Sequence, residues 1–119
     1  MSLGGIDLHF IHERGAGEDP LPILLLHGWP SSVWEFHKIV HRLPDAGERG
    51  GFSVVVPSLP GYGFSFRPLQ ERFGIVGCAE VLSELMTGTL GYEGYAIVGG
   101  DWGAHIGMRV AHAHPDAVL

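Results

Sequence analysis

Three short runs with almost no polar residues set the frame for this chain: Ile23-Leu24-Leu25-Leu26, Phe52-Ser53-Val54-Val55-Val56 and Tyr95-Ala96-Ile97-Val98. A strand with one face in water alternates apolar and polar residues. A strand without a polar face is covered on both sides, as in a parallel sheet. Between the runs, apolar residues recur at helical spacing. Val33, Phe36, Ile39, Val40 and Leu43 predict a helix that opens at Ser31 or Ser32, with Glu35 placed to complete a capping box with Ser32, and that Pro44 stops. Val76, Ala79, Leu82, Leu85 and Met86 predict a second helix over about 75–90, closed by Gly91. A third is expected from Trp102 to His114, ended by Pro115. Ahead of all of these, Ile6 to His12 alternates as a half-buried strand does. Helices between apolar strands imply parallel crossovers and a layered α/β sheet.

Composition narrows the classes of function. The chain has 119 residues, enough for one core, with 45% hydrophobic and 17% charged residues. A formal net charge of −6 leaves no basic patch for a nucleic acid. The longest apolar run, Leu21 to Leu26, falls far short of the roughly 20 residues that span a bilayer. Met1 to Gly5 has neither the basic start nor the apolar stretch of a secretory signal. Cys78 is the single cysteine, which excludes an internal disulfide and suits a reducing compartment. The expectation is a soluble, cytoplasmic chain as given, compatible with a membrane anchor on a segment outside it.

The chemistry gathers where the third apolar run meets the last helix, at Gly99-Gly100-Asp101-Trp102-Gly103. A nucleophile on a sharp strand-to-helix turn needs small neighbours. Gly99 and Gly103 flank Asp101 at two residues on either side, and Gly100 adds slack. The helix N-terminus favours an anion, so Asp101 is expected to be ionised at neutral pH. Taken alone, an aspartate there serves equally well as a helix cap. Its place between strand and helix favours the nucleophile. A carboxylate in that role suits displacement at a saturated carbon of an epoxide or alkyl halide, through an alkyl-enzyme ester that water then hydrolyses. His27-Gly28-Trp29-Pro30 follows the first apolar run at the same end of the sheet, where ligands bind in open α/β folds. The backbone N–H groups of Trp29 and Trp102 are a candidate oxyanion hole. Pro30 has no N–H to offer but fixes the turn, and is a place for a cis bond. The bland alternative is a loop in which Trp29 merely packs.

Together these residues resemble the epoxide hydrolases of the α/β-hydrolase superfamily, most closely the microsomal and juvenile-hormone type. The matching stretches are Ile6 to Arg14, His27 to Pro30, Pro57 to Ser65 and Gly99 to Gly103, in the family's order. The resemblance implies a partial α/β-hydrolase fold: a mostly parallel sheet with flanking helices, truncated after the elbow helix. Residues 1–119 would be the N-terminal half of that domain, with the lid and C-terminal half absent. It implies Asp101 as the nucleophile that opens the epoxide, with Trp29 and Trp102 giving oxyanion-hole amides and pocket-lining indoles. Tyr62 and Phe64 would meet an apolar substrate, with loop packing as the alternative. His27, Gly28, Pro30, Gly99, Gly100 and Gly103 would shape the site. The partners implied are a small apolar epoxide and water, with no metal or other cofactor. The family's general base, its acid partner and its lid tyrosines follow the elbow, so the isolated chain is expected to be inactive.

The eight histidines offer no replacement base. His105 lies four residues after Asp101, on a helix that runs beneath the sheet and away from an ester. His112 and His114 lie near that helix's end. His37 and His41 have metal-ligand spacing without a third ligand nearby, so a solvated face is preferred. His9 and His12 read as structural, His27 as shaping its turn, and Cys78 as a small helix residue. A haloalkane dehalogenase shares the Asp-Trp-Gly elbow, but Trp29 and the Pro60–Ser65 loop favour the epoxide reading. The alternative of another class is a non-catalytic fragment whose Tyr95–Val98 strand is an exposed edge open to self-association.

Overall fold

The structure is a computed structural model that describes residues 1–47 and 50–119. Its main sheet has four strands: β3 (Phe10–Glu13), β4 (Leu21–Leu26), β5 (Phe52–Pro57) and β6 (Ala96–Gly99), in the order β3-β5-β4-β6. β4 runs parallel to both β5 and β6, and β3 is antiparallel to β5. The expected α/β class therefore stands, and the apolar runs are the parallel strands. Their lack of a polar face has the expected cause. Leu24, Leu26 and Val55 point into one core, with α1 (Ile75–Glu84) and α2 (Trp102–Ala113). Ile23, Leu25, Val54 and Val56 point into a second, with Val33, Phe36 and Val40.

Three local expectations change. The alternating segment Ile6–His12 is not one strand. β1 (Ser2–Leu3) and β2 (Ile6–Asp7) form a small hairpin across Gly4 and Gly5, both at positive φ, and the sheet strand starts only at Phe10. Leu8 and His9 interrupt it because their amides bond to the Met1 carbonyl and the Ser65 hydroxyl instead of a ladder. The helix expected over 33–43 is a 3-10 turn, Val33–Phe36, followed by further turns and a second 3-10 piece, Leu43–Asp45. Its amide bonds mix three- and four-residue steps, and the apolar spacing fits either. Ser32 caps the turn by accepting from the Trp34 amide, but no capping box forms, because the Glu35 carboxylate accepts from the Ser31 hydroxyl at 2.8 Å.

The second helix is α-helical to Glu84 and ends in a π-turn, Leu85–Thr89, before Gly91 at φ 76°. The third matches its expected span closely. Beyond it, Val118 makes a parallel bridge to Tyr95, so part of the outer edge of β6 is covered while Val98 stays half exposed. No helix among the described residues is long and apolar enough to cross a membrane.

The order of strands fixes where a ligand can sit. The chain steps outward from β4 to β5, then returns across β4 to β6. The carboxyl ends of β4 and β6 therefore open into a crevice at a topological switch point, the favoured binding place of such sheets.

Candidate active site

β4 delivers His27-Gly28-Trp29-Pro30 to that crevice, and β6 delivers Gly99 to Gly103. Asp101 sits on the second turn at φ 52° and ψ −125°, a left-handed backbone that a side-chain-bearing residue rarely adopts. Two glycines allow the turn. A Cβ on Gly99 would lie 2.7 Å from the Gly103 carbonyl carbon, and one on Gly103 would lie 2.3 Å from the Leu26 oxygen. Gly100 faces open space at an ordinary φ, so the turn does not need a glycine there on steric grounds.

The carboxylate of Asp101 does not cap α2. It reaches across the crevice, where Oδ2 accepts the Trp29 amide at 2.7 Å. The adjacent Trp102 amide, then the Trp29 amide, hold the carboxyl below its ordinary value; burial opposes them, and His105 adds the least. The structure thus brings together the two amides and the carboxylate singled out in the sequence. The Trp29–Pro30 peptide is cis.

His27 explains how the first turn is held. It is fully buried, and its Nε2 accepts the Leu59 amide at 3.1 Å. Its proton is therefore on Nδ1, which donates to the Gly28 carbonyl at 3.1 Å. One imidazole ties the turn after β4 to the loop after β5. That loop carries Tyr62, whose ring centroid lies 5.5 Å from His27 and 6.3 Å from Trp29. Phe64 points elsewhere: it is exposed, and its ring lies 4.8 Å from His9.

One cavity borders the carboxylate, and a second borders the neighbouring Trp102. One, of about 320 Å³, is bordered by Gly28, Trp29, Pro30, Ser31, Glu35, Gly100 and Asp101. The other, of about 390 Å³, lies on the Trp102 side and is walled largely by apolar residues, including Tyr62, Phe73, Cys78 and Ile106. Glu35, Phe73 and Cys78 were not recognisable as neighbours of the crevice. Their local signals were a helix start, a loop and a helix interior, and only tertiary packing brings them there.

The histidines are otherwise engaged. His105 Nδ1 lies 2.9 Å from the Asp101 carbonyl oxygen, on the helix side of the elbow. His37 Nδ1 is 2.7 Å from the Trp34 carbonyl, and His41 lies 3.3 Å from Glu13, so the pair does not converge. His9 Nδ1 is 2.9 Å from the Ser58 hydroxyl, and His12 Nε2 is 2.8 Å from that of Tyr92. His114 faces Glu80 at 3.3 Å. Among the described residues no cluster of three or more metal-ligating side chains forms.

The fold agrees with what known proteins show. A family model described as the alpha/beta hydrolase fold matches residues 22–119, and the chain belongs to that family. Within it the chain is of the epoxide hydrolase group, of the microsomal and juvenile-hormone type, and a model of the epoxide hydrolase N terminus matches residues 1–36. Epoxide hydrolase 1 of Oryctolagus cuniculus is 40% identical over 96% of this chain and 27% of its own length. The crystal structure of juvenile hormone epoxide hydrolase from the silkworm Bombyx mori superposes with a TM-score of 0.87 at 34% identity, covering 99% of this chain and 29% of that one. The Aspergillus niger epoxide hydrolase gives 0.84 at 38% identity, covering 99% and 32%. The chain thus spans about a third or less of the length of these relatives.

Proposed function

We propose that this chain carries the nucleophile and oxyanion cradle of an epoxide hydrolase. The observation that carries the reading is the Asp101 carboxylate, raised on a left-handed turn and bonded through Oδ2 to the Trp29 amide across the crevice. With Oδ2 held, Oδ1 is the oxygen left to attack an oxirane carbon. The carbon–oxygen bond of the ring breaks as the ester bond forms, and the released alkoxide takes up a proton. Oδ2 then becomes the carbonyl oxygen of the ester. It already lies where the Trp29 amide, helped by that of Trp102, stabilises the charge that develops when water adds to the carbonyl. Collapse of that adduct releases a vicinal diol and restores Asp101.

The two half-reactions ask for different groups. Ring opening needs an ionised carboxylate, and both amides favour one. Ester hydrolysis needs a base aimed at water beside the carbonyl carbon. Among the described histidines, His27 is committed at both nitrogens and His105 is turned to a backbone carbonyl. The chain by itself is therefore expected to stop at the ester.

Incubation with styrene oxide tests this directly. Intact mass should rise by one epoxide, the adduct should map to Asp101, and hydroxylamine should remove it as it does an ester. Asp101→Asn should show no such adduct. Halide release from 1-chlorobutane, without any epoxide adduct, would point to haloalkane chemistry and overturn the reading.

A further inference from the structure

The Trp29 amide can serve Asp101 only if its turn is held in place, and burial does little to hold it. Trp29, Pro30 and Ser31 are all exposed, Trp29 at 67%. On the strand side the turn is pinned by His27, which bonds to the Gly28 carbonyl and to the Leu59 amide. On the other side the Ser31 hydroxyl donates to the Glu35 carboxylate at 2.8 Å. Both of these residues border the same cavity as Trp29 and Asp101.

Glu35 stands on a firm post. It lies in the 3-10 turn Val33–Phe36, whose Val33 and Phe36 side chains are buried in the core with Ile23, Leu25, Val54 and Val56. Its own amide donates to the Ser32 carbonyl at 3.0 Å, and Ser32 Oγ accepts the Trp34 amide at 3.2 Å. The two serines thus divide the work. Ser32 closes the 3-10 turn, and Ser31 ties the chain leaving Trp29 to that turn.

We propose that Glu35 is a positioning residue, which acts through Ser31 to hold the Trp29 amide on Oδ2 of Asp101. This rests on the reading of Asp101 as the nucleophile. With Gly28 and Ser31 both pinned, only Trp29 and Pro30 lie between them, and of the two only Trp29 has an N–H to aim. Release of the Ser31 end lets that amide swing. Orientation is then lost for the attacking carboxylate and again for the oxyanion that forms on the ester.

The rate of ester formation with styrene oxide, followed down the acid side of its pH profile on the 119-residue chain, tests the role. Glu35→Ala and Ser31→Ala should each slow it about fivefold, and the two together should slow it no further. Glu35→Gln still accepts from Ser31 and should stay near the parent. The profile separates this from a plain charge effect. Because the Trp29 amide helps hold the Asp101 carboxyl down, the midpoint should rise in Glu35→Ala and in Ser31→Ala. The other titrating groups beside Asp101, His105 and Tyr62, are the same in every variant. Were Glu35 acting only as a negative charge, its removal would lower the midpoint in Glu35→Ala and Glu35→Gln alike, and Ser31→Ala would change nothing. That pattern overturns the proposal, as does a parent-like rate in both alanine variants. Exchange of the Trp29 amide proton, read by NMR, depends on no reaction and should quicken about fivefold in both alanine variants. Unchanged exchange overturns the tie whatever the chemistry does. Quickened exchange in a chain whose parent gives no Asp101 adduct keeps the tie and overturns the nucleophile.

Discussion

The turn after β4 and the turn after β6 each rely on a glycine, for different reasons. At the elbow, a Cβ on Gly103 would meet main chain, 2.3 Å from the Leu26 oxygen and 2.7 Å from the His27 oxygen. At the turn after β4, a Cβ on Gly28 would meet a side chain, 2.6 Å from Cβ and 2.7 Å from Oδ2 of Asp101. Each turn thus presses on the other, but the pressure falls on different matter. Two parallel strands bonded along their length cannot move apart locally to make room at Gly103. A carboxylate can rotate away from Gly28, at the expense of its bond to Trp29. One glycine therefore guards the fold and the other guards the bond between the Asp101 carboxylate and the Trp29 amide, although in the sequence both look like turn residues.

Substitution should expose the difference, and the larger effect is on the elbow. Gly103 is helical, so alanine gains roughly 1 kcal/mol in intrinsic propensity. The clash with fixed backbone outweighs that, and a net loss of about 3 kcal/mol or more is expected. A thermal melt followed by circular dichroism should show Gly103→Ala unfolded or far less stable than the parent. Gly28→Ala should lose only about 1–2 kcal/mol, since its obstacle can turn aside. Its ester formation with styrene oxide should nevertheless drop about 100-fold, because the nucleophile leaves its cradle. If the two variants lose stability alike, or if Gly28→Ala alkylates normally, the contrast between the turns is broken.

How far the sequence discloses these things depends on what kind of physics sets them. The parallel strands are legible in Ile23–Leu26 and Val54–Val56 because a strand buried on both faces has to be apolar throughout. Both long helices are legible for the same reason of pattern. The turns over 33–45 are not, since Val33, Phe36 and Val40 can face the sheet equally well from α- or 3-10 geometry, and Pro44 admits either. At the site, Asp101 and the Trp29 and Trp102 amides could be named because the turn needs small residues in a fixed order. The partners that come from packing could not. Cys78 carries no local sign that it faces Trp102, and the spacing of Ser32 and Glu35 pointed to a capping box that Ser31 pre-empts. Tyr62 and Phe64 are two residues apart in one loop, yet one ring meets Trp29 and the other meets His9.

The smallest expected effect concerns what supports the turn after β4 from behind. His27 fastens that turn to the loop at Leu59, and the same loop is held by His9. The Ser58 amide donates to the His9 carbonyl at 2.9 Å, and the His9 amide donates to the Ser65 hydroxyl at 3.0 Å. Burial, and then the N-terminal ammonium, hold the His9 ring below its ordinary value of 6.5. His12 is shifted the same way by burial and Arg14, against Glu13. Because the folded state favours the neutral rings, their contribution to stability is complete above about pH 6.5. It is lost as the pH falls through their lower folded-state values, where folding no longer resists the proton. Urea midpoints should therefore decline modestly from pH 7.5 to pH 5, and His9→Gln should flatten part of that decline. Over the same range, hydrogen exchange should accelerate at the Leu59 and Ser58 amides before it does at Ala104 and His105 in the elbow helix. Equal acceleration at both places would mean that the two turns share one support, and the contrast drawn from their glycines would then stop at the crevice itself.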